Sequence, residues 1–86
     1  MRAGELMNTK EAVAKRIIEL CEVNDIAINN LAVEAGITPS TVYSLLNEHT
    51  KNPGIITIKK LCDALNLTLG EFFSTPVFDN LEQEIK

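Results

Sequence analysis

Apolar residues recur along this chain at spacings of three and four, and short polar clusters interrupt them. Asn8 with Glu11 three residues on reads as a capping box, and Val13, Ile17, Leu20, Cys21 and Asn24 then fall on one side of a helix. Lys15, Arg16, Glu19 and Glu22 are placed largely on its other faces. A second helix is predicted from about Ile28 to Ala35, with Leu31, Ala32 and Ala35 turned inward. Gly36 supplies the permissive backbone of a sharp turn, and Ile37 plugs the corner. Thr38 is a suitable N-cap and Pro39 suits the first helical position, so a third helix starts there with Val42, Leu45 and Leu46 as its apolar side.

Glu48 to Gly54 is turn and loop text, and a fourth helix is expected from about Ile56 to Leu65, carried by Ile58, Leu61, Cys62 and Leu65. Thr68 and Glu71 form a second capping box ahead of a short fifth helix with Phe72 and Phe73, which Pro76 is expected to end. Val77, Phe78, Leu81 and Ile85 space as one side of a further short C-terminal helix. The pattern is therefore all-α: a flexible leader over 1–7, with Met7 as an alternative start, a five-helix domain over 8–76, and a tail or short dimerisation helix over 77–86. The 86 residues suit one compact domain.

Charge alters this picture in one respect. The chain carries a formal net charge of -4, which counts against strong electrostatic attraction to nucleic acid. The excess is local: Leu61 to Lys86 holds five acidic residues against one lysine, whereas Ile28 to Lys60 is weakly basic. Short-range contacts in that middle segment remain open to hydroxyls, amides and helix N-termini. No apolar run is long enough to span a bilayer and no secretion signal is evident, so the cytoplasm is the expected compartment and no membrane partner is expected.

Candidate chemistry is sparse. Cys21 and Cys62 sit inside apolar periodic segments without paired spacing, as reduced core residues would. His49 stands alone, with no second ligand at metal spacing, and no nucleophile, Gly-rich phosphate loop or carboxylate cluster is present. An enzyme is the least expected class, and neither a cofactor, a metal nor a small-molecule effector is implied. Two helices joined by a tight Gly turn meet the packing needs of a helix-turn-helix, yet any small helical bundle needs such corners.

The segment LAVEAGITPSTVYSLLNEHTKNPGIITIKKLCDALNLTLGEFF goes further, because it resembles the lambda-repressor-like family, the Cro/C1 or XRE type. The likeness is distributed over Leu31, Ala32, Gly36, Ile37, Ser40, Leu45, Asn47, Asn52, Pro53, Leu61, Ala64, Leu65, Leu69, Phe72 and Phe73. It implies a five-helix DNA-binding domain in which helices two and three form the binding pair. By that resemblance the base-reading positions are Pro39, Ser40 and Ser44, with Tyr43 on or beside the exposed face, while Thr41 touches DNA backbone or braces the turn. Tyr43 has a second reading, an aromatic sealing the outside of helix two. Backbone contacts are implied at Ile28 and Asn29, at Asn47, His49, Lys51 and Asn52, and at Ile56 and Thr57.

Three departures from the family pattern matter. Short hydroxyls and a proline stand where long amide or basic side chains are frequent, so a short or degenerate operator preference is expected from each subunit. Ile28 replaces a frequent Gln at a phosphate clamp. Cys21 and Leu46 replace an Arg and Glu pair that often joins helices one and three; an apolar pair serves there as well. The function implied is a double-stranded DNA-binding transcriptional regulator, most simply a small repressor acting as a homodimer, with Phe78, Leu81 and Ile85 as dimer contacts unless the tail packs on its own domain. A protein-interaction module or antitoxin-like adaptor is the alternative.

Overall fold

The computed structural model describes residues 7–47 and 52–85. Six helices follow one another, and among the described residues there is no strand: α1 Thr9–Val23, α2 Ile28–Ala35, α3 Pro39–Leu46, α4 Ile55–Ala64, α5 Leu69–Phe73 and α6 Pro76–Asp79. Both expected capping boxes are formed. The Asn8 side chain accepts from the Glu11 amide at 2.8 Å while the Glu11 carboxylate accepts from the Asn8 amide at 3.1 Å; Thr68 and Glu71 repeat the exchange at 3.0 and 2.9 Å.

Three helices stop in the same way. Gly36 after α2 has φ 73, and the residues after α1 and α4, Asp25 and Asn66, also adopt positive φ, 50 and 57. In each case the next apolar residue turns its amide back across the helix end: Ile26 to the Cys21 carbonyl, Ile37 to Ala32 and Leu67 to Cys62. This left-handed stop satisfies carbonyls that would otherwise face nothing and directs Ile26, Ile37 and Leu67 against the core.

That core joins Val13, Ile17, Leu20 and Cys21 of α1, Leu31 and Ala32 of α2, Val42 and Leu45 of α3, Ile58, Leu61 and Cys62 of α4, and Phe72 of α5. Each fully buried large apolar side chain contributes on the order of 2 kcal/mol. α2 lies at the centre of the arrangement, packed on α3, α4 and α1, while α1 also supports α3. The DNA-reading candidate α3 is thereby held from behind by two helices.

Arg16 lies off the apolar face of α1 and meets α5: its Nε donates to the Phe72 carbonyl at 2.7 Å and its Nη2 to the Glu71 carbonyl at 2.9 Å, clamping the end of α5 onto α1. Several expectations need correction. The fourth helix runs one residue earlier at both ends than the expected Ile56 to Leu65, because Gly54 takes the N-cap position and Asn66 forces the stop. Pro76 opens α6 at its first position instead of merely ending α5, which has already stopped at Phe73.

The tail also differs. α6 is a single turn, and Leu81 to Ile85 is not helical, so Phe78, Leu81 and Ile85 do not share a helix side. Phe78 packs edge-on to Phe73 at 4.9 Å and lies 6.2 Å from Phe72, committing it to its own core. The segment beyond returns to the start of α1, where the Glu82 amide donates to the Met7 carbonyl at 2.9 Å and the Thr9 hydroxyl donates to Glu84 at 2.9 Å. Leu81 is half-buried and Ile85 is 90% exposed. Among the described residues no helix is long and apolar enough to cross a membrane.

Candidate nucleic-acid interface

α2, the turn at Gly36 and α3 form the corner that the sequence anticipates. Val42 and Leu45 are buried on the inner side of α3, and Ser40, Thr41, Tyr43 and Asn47 are exposed on the other, with Pro39 and Ser44 half-buried between them. Tyr43 is 47% exposed, so its ring is available on the outer surface. The expected base-reading group Pro39, Ser40, Tyr43 and Ser44 thus belongs to one helix whose apolar side is locked into the core, and α3 carries no charged side chain.

Thr38 stands at the N-cap with extended backbone, as expected, but its side chain makes no bond to the first-turn amides. Its Oγ1 lies instead 2.8 Å from Thr41 Oγ1 and 3.2 Å from Ser40 Oγ. The Asn47 side chain closes the far end of the helix by donating to the Tyr43 carbonyl at 2.9 Å, and Lys10 Nζ donates to the Asn47 carbonyl. Sequence reasoning gave Lys10 no role; the contact places a cation beside the negative end of α3 and ties that end to the start of α1.

The implied backbone contacts lie on the elements before and after this helix. Asn29 is exposed in the first turn of α2, Asn52 is exposed ahead of α4, and Thr57 is half-buried in the first turn of α4. His49 and Lys51 lie outside the described residues. The N-termini of α2, α3 and α4 share two properties: none has a side-chain cap bond and none has an acidic residue in its first turn. The first-turn amides of α2 and α4 therefore remain open to an anion, whereas at α3 Pro39 has no amide proton and the Thr41 amide donates to the Thr38 carbonyl at 3.0 Å, leaving the Ser40 amide.

Two further cations among the described residues are engaged within the fold. Arg16 is taken by the α5 carbonyls and Glu19, and Lys59 pairs with Asp63 one turn along α4. Burial pushes the thiols of Cys21 and Cys62 above their ordinary range, with Glu22 adding to the effect at Cys21, while at Cys62 Lys59 opposes it, Asp63 adds to it and Arg16 opposes it. Both are free core thiols. Among the described residues no group of three or more His, Cys, Asp or Glu side chains is placed to hold a metal.

Comparison with known proteins agrees with this geometry. The model of the Cro/C1-type helix-turn-helix DNA-binding domain family matches residues 16–77. An uncharacterized HTH-type transcriptional regulator, YvzC of Bacillus subtilis (strain 168), is 36% identical over 50 residues, which are 58% of this chain and 64% of that protein. The chain thus matches less than two thirds of that relative's length. The crystal structure of prophage Lp1 protein 11 is similar with a TM-score of 0.78 and 30% identity, over 88% of this chain and 100% of that one.

Proposed function

The chain belongs to the Cro/C1-type helix-turn-helix DNA-binding domain family, and from that premise we propose that it is a sequence-preferring double-stranded DNA-binding transcriptional regulator, acting as a small dimeric repressor. The observation that carries this reading is the joint exposure of the polar side of α3 and of three helix N-termini free of caps and carboxylates. α3 enters the major groove, where Ser40, Tyr43 and Ser44 meet base edges beside Pro39. Asn29, Thr41, Asn47, His49, Lys51, Asn52 and Thr57 frame them on phosphates.

The family is a DNA-binding one. Short hydroxyls discriminate bases modestly, so a second copy on an inverted repeat supplies the remaining specificity. Ile85 and the open side of Leu81 are the dimer contacts proposed, since Phe78 is held in its own aromatic cluster. The working compartment is the cytoplasm, where the DNA is.

Selection of bound sequences from a random duplex pool, at two salt concentrations, tests the reading. A selected inverted repeat with salt-sensitive retention is the expected result. Failure to enrich any sequence, with a stable heteromeric complex recovered instead, contradicts it in favour of an adaptor.

A further inference from the structure

The three hydroxyls at the start of α3 are connected, and the connection limits what they can offer to DNA. Thr38 Oγ1 is within hydrogen-bond distance of both Thr41 Oγ1, at 2.8 Å, and Ser40 Oγ, at 3.2 Å. Each hydroxyl has a single proton to donate and lone pairs to accept with. A phosphate oxygen can only accept.

We propose that Thr38 is a positioning residue that makes Ser40 a hydrogen-bond acceptor towards DNA and thereby selects adenine or cytosine at the base that Ser40 faces. The inference rests on the DNA-binding reading above, with Thr41 on a phosphate and Ser40 on a base edge. When Thr41 gives its only proton to the phosphate, the Thr38–Thr41 bond must be donated by Thr38. Thr38 then has no proton left, so the Thr38–Ser40 bond must be donated by Ser40. Ser40 is left with lone pairs alone.

In the major groove the base-edge donors are the adenine N6 and cytosine N4 amines; guanine shows two acceptors and thymine an acceptor and a methyl group. A phosphate contact at Thr41 is thus translated, through Thr38, into base discrimination at Ser40. Thr38 is suited to this because its side chain makes no cap bond to the helix backbone. Removing its hydroxyl changes the relay and leaves the backbone hydrogen bonds in place.

The test compares motifs selected from a random duplex pool by the parent chain and by the T38V, T38S, S40A and T41V variants. S40A identifies the base position that Ser40 reads, as the one whose preference it flattens. At that position the parent should favour A or C over G and T by roughly three- to tenfold, the size of one neutral hydrogen bond. T38V should bring that ratio to near one while T38S retains it, a rescue that a merely structural role would not give. T41V breaks the relay from its other end and should also abolish the ratio, so the outcome does not hang on the folding of one variant. G or T at the Ser40 position, a ratio unchanged in T38V and T41V, or no position flattened by S40A would overturn the proposal. These results all require that the parent enriches a motif; a parent that enriches none sinks the DNA-binding reading itself.

Discussion

The helices of this domain finish their N-termini in two ways. α1 and α5 close theirs with reciprocal capping boxes that include a glutamate, Glu11 and Glu71. α2, α3 and α4 begin at Ala27, Thr38 and Gly54 with no side-chain cap and no carboxylate in the first turn. A cap contributes about 1 kcal/mol, so the open helices forgo stability that the closed ones use. The difference teaches where a polyanion can approach: a glutamate stabilises a helix start but repels phosphate, and it is absent at the starts of α2, α3 and α4.

The largest test of this division concerns the closed side. Phe72 is buried against Phe73 at 4.8 Å, and Phe72→Ala should lower unfolding free energy by about 3–5 kcal/mol in urea titration. Arg16→Met should lower it by about 2 kcal/mol, because the two carbonyls at the end of α5 lose a charged donor. DNA sequence preference should remain that of the parent, since Arg16 serves the fold and not the groove.

The caps themselves sharpen the contrast. Asn8→Ala and Thr68→Ala should each cost about 1 kcal/mol in thermal or urea unfolding, whereas Thr38→Val should cost only a few tenths, because Thr38 makes no cap bond to lose. Closing an open start should break the division in the other direction. Thr57→Glu places a carboxylate in the first turn of α4, and should leave stability equal or raise it by roughly 0.5 kcal/mol while weakening retention of every duplex about tenfold in a filter-binding or anisotropy assay.

The smallest effect is in the core thiols. Their folded pKa values lie above the ordinary thiol range because burial disfavours the thiolate. Their contribution to stability is therefore complete below the unfolded thiol value, about 8.5, and declines as pH rises past it. Replacing both Cys21 and Cys62 by Ala should flatten the alkaline limb of a stability-against-pH profile. In the parent, a thiol reagent at neutral pH should label neither cysteine until the chain unfolds.

Local features were legible in the sequence and long-range ones were not. The span of α2, the turn at Gly36 and both capping boxes depend on residues within a few positions of one another, and periodicity exposed them. The positive φ at Asp25 and Asn66 had a weaker local signal, a short polar residue just before an apolar one. The carbonyls that Arg16 meets are more than fifty positions away in the sequence, so its role in joining α5 to α1 has no local signal, and the Lys10 contact with Asn47, also long-range, has none either. Pro76 marks the end of one helix and the start of the next equally well, so its position alone did not distinguish them. The apolar spacing of Phe78, Leu81 and Ile85 matched a helix, but the chain instead leaves its single turn to pair with Met7 and Thr9.

At the candidate interface the outward side of α3 followed from its inward side, Val42 and Leu45 fixing what must face away. The role of Thr38 did not follow, because an N-cap threonine ordinarily bonds to backbone amides and nothing in the sequence says that it turns to two neighbouring hydroxyls. His49 and Lys51 rest on resemblance alone.

Backbone amide shifts on titrating the labelled chain with a selected duplex test the division between open and closed helix starts most directly. The account predicts that the amides of Ile28 to Asn30, Ser40 to Val42 and Ile55 to Thr57 move on binding, while those of Thr9 to Glu11 and Leu69 to Glu71 hold their positions. Movement concentrated at α1, α5 or the tail, with the starts of α2, α3 and α4 unperturbed, would contradict it.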